Sequence, residues 1–150
     1  MRAVIQAVNY ASLTANGEQY SSINKGLLVL LGIKTTDTIK EATFLMEKIA
    51  KLRIFEDENG KLNLSVQDIN GEIMLVSNFT LYGETKGQNR PSYITAGRPE
   101  MAEPLYNECV KISSEKVLTK TGIFGADMQI KMEAQGPTTI IMDTENLMGK

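Results

Sequence analysis

The segment at residues 77–83, SNFTLYG, brings together groups that could act on a substrate. It follows an apolar run at residues 73–76 that predicts a strand. Ser77 and Thr80 contribute hydroxyls and Asn78 an amide, with Phe79 between them. At the exit of a strand these side chains could converge on a pocket. Alternatively, the two hydroxyls could simply satisfy backbone groups where the sheet ends.

A second candidate is Gly136-Pro137, which lies between two strand-like runs and is most simply a turn. Proline fixes φ and is the one residue type that readily follows a cis peptide bond, which would redirect the neighbouring carbonyls. Two carbonyls that point the same way would accept hydrogen bonds from an ammonium group. The pair is therefore either a turn or a receptor for an amine.

The third candidate is residues 82–97, which show no helical or strand period and contain several glycines and a proline. This pattern predicts a long loop, and long loops in compact domains often carry function. Lys86, Arg90 and Arg98 lie in or beside it. They could bind phosphate or form part of a solvated loop.

The absence of histidine from the chain excludes several chemistries. No Ser-His-Asp or Cys-His unit, histidine-ligated metal site or imidazole acid/base pair can form. Catalysis would depend on carboxylates, lysine, hydroxyls, backbone groups or the substrate itself.

Cysteine and carboxylate side chains also have simple structural interpretations. Cys109 is the only cysteine, which excludes a disulfide framework within the chain and any multi-cysteine zinc site. It falls on the apolar face of a predicted helix, as a core residue does. The acidic groups at residues 56–58 and 143–145 are interpreted as turns or solvated ends, so no metal and no cofactor are predicted.

Length and composition predict one soluble domain over residues 1–150, with a polar tail from about residue 145. Hydrophobic residues make up 42% of the chain and charged residues 23%, and the formal net charge is −2. The longest apolar run, at residues 27–33, is too short to span a bilayer, which needs about 20 residues. We therefore expect a cytoplasmic protein with no membrane contact.

Periodicity predicts more strands than helices. Asn16-Gly17 predicts a hairpin turn. A helix is expected to begin at Thr36 or Asp37 as N-cap and to run to about residue 52, and a second to begin at Pro99. The first predicted strand covers residues 2–8 and is continued by residues 11–15. The others lie at residues 18–23, 26–31, 54–55, 72–78, 128–133 and 138–143. Their distribution favours an α+β fold with a largely antiparallel, barrel-like β-sheet and two main helices.

Several motifs together resemble the D-aminoacyl-tRNA deacylase (D-tyrosyl-tRNA deacylase) family. In chain order these are LLVLLGI, LRIFEDENGKLNLSV, SNFTLYG, KGQNRPSY, TGIFGADMQI and GPTTIIMDT. The likeness extends from Met1 to about Thr144. The two signature motifs of the family, Ser-Gln-Phe-Thr-Leu and Gly-Pro-Val-Thr, correspond here to residues 77–81 and 136–139.

The resemblance implies a homodimeric, metal-free enzyme that hydrolyses the ester joining a D-amino acid to the terminal adenosine of tRNA. Ser77, Asn78, Phe79 and Thr80 would form the catalytic segment. Backbone N–H groups near Phe79 and Thr80 would stabilise the oxyanion while the RNA 2′-hydroxyl assists water, and Thr80 would have a positioning role.

The resemblance also assigns chiral selection to Gly136 and Pro137. Their carbonyls would hold the substrate ammonium, so that an L side chain meets the pocket wall whereas D-aminoacyl and glycyl esters are accepted. In the family this motif enters the partner subunit's site. Lys86, Arg90 and Arg98 are the candidate contacts to the tRNA acceptor end, which few cations suffice to bind.

The chain departs from the family pattern at a few signature positions. Asn78 replaces glutamine, Ala7 replaces arginine, Thr138 replaces valine, and Ala134-Gln135 stands where an Asn-containing pair is usual. Two alternatives therefore remain open: a non-catalytic module that binds the tRNA acceptor end, and an editor of the same fold with relaxed chirality.

Overall fold

The computed structural model describes residues 1–150 as a mixed, nearly closed β-barrel packed against two long helices. The strands are β1 (Arg2–Ala15), β2 (Glu18–Ile23), β3 (Gly26–Gly32), β4 (Arg53–Glu56), β5 (Leu62–Ser65), β6 (Glu72–Ser77), β7 (Leu118–Thr121) and β8 (Met128–Asp143). The helices are α1 (Ile39–Ala50), a 3-10 helix (Phe79–Tyr82), α2 (Pro99–Ser114) and α3 (Thr144–Leu147). None of the helices is long and apolar enough to cross a membrane.

The long strand β1 organises the sheet. One of its edges pairs with β3 and then with β2, and its other edge pairs along its whole length with β8; all three pairings are antiparallel. β6 pairs parallel with β3, and β7 parallel with β6. The Ser21 hydroxyl on β2 donates to the Thr121 carbonyl on β7 at 2.7 Å, which brings the two ends of the sheet together. The predicted α+β, barrel-like fold is confirmed.

Two apolar clusters lie on opposite faces of the sheet. The larger packs Ile5, Val29 and Leu75 against Leu45 of α1 and Tyr106 of α2. The smaller fills the inside of the barrel and contains Val8, Leu13, Leu28, Met74 and Val76. β3 and β6 contribute to both clusters, which explains why their sequences are continuously apolar rather than alternating.

Helix α1 begins later than predicted because a different residue caps it. Thr38 is the N-cap: its side chain accepts from the Lys40 amide, and the Glu41 carboxylate accepts from the Thr38 amide. Asp37 instead accepts from the buried amino group of Met1 at 2.7 Å and from the Lys34 amide at 2.6 Å. The predicted N-cap at Thr36 or Asp37 is therefore wrong.

Two other predictions differ from the structure. The two strands predicted after residue 128 form one strand, β8, interrupted only by a bulge. β5 and β7 were not predicted. The polar tail contains the short helix α3, which Asp143 caps through the Glu145 amide, and its last residue, Lys150, pairs with Glu41.

Glu41 connects the start of α1 to this C-terminal segment and makes stability depend on pH. Its side chain is buried, yet it accepts from the Thr38 amide at 2.7 Å, from the Thr38 hydroxyl at 2.8 Å and from Lys150. Burial alone would raise the pKa of this carboxyl, but the bonds from Lys150 and Thr38 outweigh it and lower the pKa from 4.5 to about 2. The ionised Glu41 carboxyl therefore makes its full contribution to the free energy of unfolding above the pKa that it has in the unfolded chain. This contribution is lost as pH falls from about 5 toward 2.

We expect Glu41 to account for about 3 kcal/mol of the acid-induced loss of unfolding free energy. Urea unfolding at pH 7, 5 and 3 should show a flatter acid limb for Glu41→Gln than for the wild type. Glu47→Gln, on the exposed face of the same helix, should leave the limb unchanged. Equal acid sensitivity of Glu41→Gln and the wild type would contradict this assignment.

Candidate active site

A cavity of about 710 Å³ opens at the end of the sheet where β3 and β6 finish and β8 begins. Its floor is apolar and includes Leu31, Val76 and Ala102. Ser77, Asn78 and Phe79 form one wall, so the structure places three of the four predicted catalytic residues at this cavity. Apolar walls with a few polar groups are typical of a small-ligand site.

The 3-10 helix positions the backbone at this wall. The Asn78 amide donates to the Leu31 carbonyl at 2.8 Å, which extends the pairing of β6 with β3 by one residue. The chain then turns into the 3-10 helix at Phe79. The first N–H groups of a helix have no acceptor within the helix, and no side chain of the protein accepts from the backbone N–H of Phe79 or Thr80. Two backbone donors are thus available beside the cavity.

Thr80 does not line the cavity, and its side chain is exposed. Its hydroxyl donates to the side-chain oxygen of Asn78. A threonine nucleophile needs an adjacent base, and the partner of Thr80 is a neutral amide. The contact instead holds Asn78 and the first turn of the helix together.

Aromatic rings flank the mouth of the cavity. Phe79 is 56% exposed, and its ring meets that of Tyr93 edge to face, with centroids 5.1 Å apart. Tyr93 belongs to the predicted long loop, which carries no helix or strand between Tyr82 and Pro99. Phe124, from the connection between β7 and β8, also lines the cavity, but it is half-buried and packs against Tyr106 with ring centroids 5.9 Å apart. The exposed rings of Phe79 and Tyr93 can stack against a nucleobase.

The predicted cations occupy different places. Arg98 lines the main cavity and also a smaller neighbouring cavity, with Tyr93 shared between the two. Lys86 and Arg90 are exposed on the loop and line neither cavity. Of the three predicted tRNA contacts, the structure therefore brings only Arg98 to the cavity that Ser77, Asn78 and Phe79 line.

Asp127, Tyr93 and Phe124 line the cavity but were not among the predicted site residues. Asp127 lies just before β8, and its carbonyl accepts from the Asn16 amide at 3.0 Å, which anchors this connection to the β1–β2 hairpin. These residues are distant in sequence from residues 77–80, so periodicity could not associate them. The only sequence indications were two motifs: KGQNRPSY, which ends at Tyr93, and TGIFGADMQI, which contains Phe124 and Asp127.

Gly136-Pro137 lies outside the cavity of its own chain. Pairing of β8 with β1 passes from Thr139 opposite Gln6 to Ala134 opposite Val8, so residues 135–138 bulge away from the ladder. The bulge is largely exposed, and the Gly136-Pro137 peptide bond is cis. The structure therefore does not bring the two signature motifs together within one chain.

Gln6 and Asn9 hold the bulge on β1. The side-chain amide of Gln6 donates through its nitrogen to the Thr138 carbonyl at 3.0 Å and accepts through its oxygen from the Thr139 hydroxyl. Asn9 donates to the Gln135 side chain at 2.9 Å. Ala7, between them, is buried in the larger apolar cluster. The bulge is thus secured by neutral amides, without the arginine that the family usually has at residue 7.

Cys109, Asp57 and Asp143 have structural roles. Cys109 is fully buried, and burial raises the pKa of its thiol to about 12, which agrees with the predicted core role. Asp57 accepts from the Asn59 and Lys61 amides in a turn, and Asp143 bonds Arg2 and the Glu145 amide. No cluster of three or more carboxylate or thiol side chains is arranged to hold a metal ion.

Comparison with known proteins finds one family and several relatives with matching descriptions. Residues 4–143 match the family described as D-Tyr-tRNA(Tyr) deacylase. The chain is 51% identical over 149 residues to a D-aminoacyl-tRNA deacylase of Flavobacterium johnsoniae, covering 97% of this chain and 99% of that protein. It is 49% identical over 146 residues to one of Desulfatibacillum aliphaticivorans, covering 97% and 100% respectively.

Two solved structures are similar. One is described as a c-Myc DNA unwinding element binding protein, with a TM-score of 0.90, 43% identity, and coverage of 95% of this chain and 98% of that one. The other is described as a probable eukaryotic D-amino acid tRNA deacylase, with a TM-score of 0.82, 16% identity and the same coverages. The second, at this identity, shows the fold alone.

Proposed function

The chain belongs to the D-aminoacyl-tRNA deacylases, a family of hydrolases, and from this premise we propose that it removes D-amino acids from tRNA with its own backbone and the RNA as the catalytic groups. The observation that carries the proposal is the pair of free backbone donors at Phe79 and Thr80, beside an apolar cavity with aromatic rings at its mouth. The reaction adds water across the ester and yields a free D-amino acid and tRNA.

The cavity receives the terminal adenosine together with the aminoacyl ester. Phe79 and Tyr93 offer the aromatic surface for the base. The N–H groups of Phe79 and Thr80 face the developing oxyanion, where preorganised donors act without reorganisation. The donors of the 3-10 helix cannot be lost by titration, and this suits a site that lacks histidine.

Water activation comes from the substrate. The Thr80 hydroxyl is engaged with Asn78, and Asp127 is the one carboxylate lining the cavity. An aminoacyl ester is already activated, so the terminal 2′-hydroxyl of the RNA, next to the scissile bond, is sufficient to orient water. Replacement of that 2′-hydroxyl by hydrogen would therefore remove most of the activity.

Chirality is selected by Gly136 and Pro137 of a second copy in a homodimer. In its own chain the bulge is exposed and outside the cavity, and β8 presents exposed Met132 and Ile141 along the same strand. Insertion into the partner cavity would let the two carbonyls bind the α-ammonium. An L side chain would then meet the wall, whereas D-aminoacyl and glycyl esters would fit.

One experiment distinguishes this proposal from the alternative that the protein binds the tRNA acceptor end in the cytoplasm without catalysing hydrolysis. D-tyrosyl-tRNA is incubated with stoichiometric protein, and its half-life is compared with the spontaneous half-life. We expect clear acceleration. A non-catalytic module that covers the acceptor end would lengthen the half-life, and this result would overturn the enzymatic proposal.

Arg98 gives a separate prediction about tRNA binding, because it is the cation that lines both cavities. Arg98→Gln should raise the KM for D-tyrosyl-tRNA by about 5- to 10-fold and reduce the salt slope of binding by about one charge. Measurement of KM from 50 to 200 mM salt tests this. Lys86→Gln, on the exposed loop, is the matched control, and an effect equal to that of Arg98→Gln would contradict the assignment.

A further inference from the structure

We propose that Arg2 is a positioning residue for the hydrolysis: it fixes the 3-10 helix that presents the Phe79 and Thr80 amides. This inference rests on the proposed function, since it specifies how that site is kept in place. Arg2 does not line the cavity, so it acts through the 3-10 helix rather than on the substrate.

The Arg2 guanidinium links three segments of the chain. Its NH1 group donates to the Leu81 carbonyl at 2.8 Å, within the 3-10 helix. Its Nε donates to the Asp143 carboxylate at 2.8 Å, at the end of β8. Its centre lies 4.7 Å from the centroid of the Tyr82 ring, within cation–π distance. Arginine can make these contacts together because its donors form a rigid fork.

These contacts provide the distal anchor of a short element. The 3-10 helix has four residues, and its near side is held by the bond from the Asn78 amide to the Leu31 carbonyl. On the far side, the charge-assisted bond from Arg2 holds Leu81 only two residues from Phe79. The Arg2 side chain is 35% exposed, whereas its Asp143 partner is 10% exposed. The more buried Asp143 carboxylate therefore orients the Arg2 guanidinium.

Fold maintenance does not explain the arrangement, because strand pairing is independent of this side chain. Arg2 and Asp143 face each other in the β1–β8 ladder through their backbones, and Arg2 also pairs with Gly32. Loss of the guanidinium leaves those ladders intact and removes the bond that holds the Leu81 carbonyl. A displacement of about 1 Å in a positioned group can reduce a rate about 100-fold.

The test compares Arg2→Gln with Lys34→Gln by single-turnover hydrolysis of D-tyrosyl-tRNA. Lys34 pairs with Glu145 and forms no hydrogen bond or ion pair with the 3-10 helix, so Lys34→Gln is a matched loss of one ion pair. We expect Arg2→Gln to lower the maximal rate constant by about 10- to 100-fold with little change in half-saturation, and Lys34→Gln to have no such effect. Equal maximal rate constants for the two variants would overturn the proposal. A change only in the concentration that gives half-saturation would overturn it as well.

Asp143→Asn and Arg2→Lys keep the test decisive if Arg2→Gln folds poorly. Asparagine still caps α3 but loses the charge that orients Arg2, and lysine keeps the charge but lacks the fork. Both should lower the same rate constant, and Asp143→Asn should add little to an Arg2 variant. Wild-type rate constants in both would overturn the proposal.

An activity-independent measurement separates this inference from the proposed function. In amide NMR spectra, Arg2→Lys should shift the Phe79 and Thr80 resonances, whereas Lys34→Gln should not. If the wild type hydrolyses no D-aminoacyl-tRNA, the proposed function fails while these shifts still report whether Arg2 positions the amides. Unchanged Phe79 and Thr80 resonances in Arg2→Lys would overturn the inference.

Discussion

Phe79→Pro is expected to lower the rate of D-tyrosyl-tRNA hydrolysis by about 100- to 1000-fold relative to Phe79→Ala, the cost of one oxyanion donor. Both variants lose the phenyl ring, but only Phe79→Pro also loses the backbone N–H. Proline is tolerated at the first position of a helix, where the N–H has no helical partner. Asn78 precedes it with φ −148° and ψ 89°, which lies outside the α region that a following proline disfavours.

The comparison isolates the backbone group, provided that both variants fold. Circular dichroism and thermal unfolding should therefore give closely similar curves for the two. Similar rates for Phe79→Pro and Phe79→Ala would show that this amide does not contribute to catalysis. A low rate in both variants, with no difference between them, would assign the contribution to the ring instead.

Gly136→Ala is expected to reduce hydrolysis by about 100-fold, because the bulge must change shape to accept a side chain. Gly136 has φ +112°, which L residues rarely adopt, and an added Cβ would lie 2.5 Å from the Thr138 hydroxyl and 2.6 Å from the Thr138 amide nitrogen. The bulge is exposed in its own chain, so the fold should survive. Steady-state kinetics together with the unfolding temperature test both expectations.

Gly60→Ala is the matched control. Gly60 also has a positive φ, +73°, but a Cβ there would have no atom within 4 Å, and Gly60 does not line the cavity. It should lose a little stability and no activity. A rate for Gly136→Ala as high as that for Gly60→Ala would exclude the bulge from the reaction.

The same two site variants test the exchange of Gly136 and Pro137 between subunits. Phe79→Pro has a defective cavity and an intact bulge, and Gly136→Ala the reverse. After subunit exchange in an equal mixture, about one quarter of the sites should combine an intact cavity with an intact bulge. A mixture no more active than its components would contradict insertion into a partner cavity.

Local patterns were sufficient to predict the elements whose stabilising interactions lie nearby in sequence. The Asn16-Gly17 hairpin joins adjacent strands, and the α1 period follows from one buried face. β7 was missed because its four residues are held by parallel pairing with β6, which begins more than forty residues earlier. The start of α1 was misplaced because Asp37 is used by the amino group of Met1, a contact that no local pattern indicates.

The candidate site divides in the same way. Residues 77–80 follow directly on an apolar strand, so sequence order was enough to select them. Asp127 and Phe124 reach the cavity through the β7–β8 connection, and Arg2 reaches the 3-10 helix from the other end of the chain. These relationships arise only when the barrel brings the ends of β1, β6 and β8 together.

The most direct test of the account is deacylation of matched D-tyrosyl-, L-tyrosyl- and glycyl-tRNA by the wild-type protein, with and without EDTA. We expect rapid hydrolysis of the D-tyrosyl and glycyl esters, no acceleration for the L-tyrosyl ester, and no effect of EDTA. Hydrolysis of the L-tyrosyl ester at a comparable rate would contradict chiral selection at Gly136 and Pro137. Failure to hydrolyse any of the three esters would contradict the proposed enzymatic function itself.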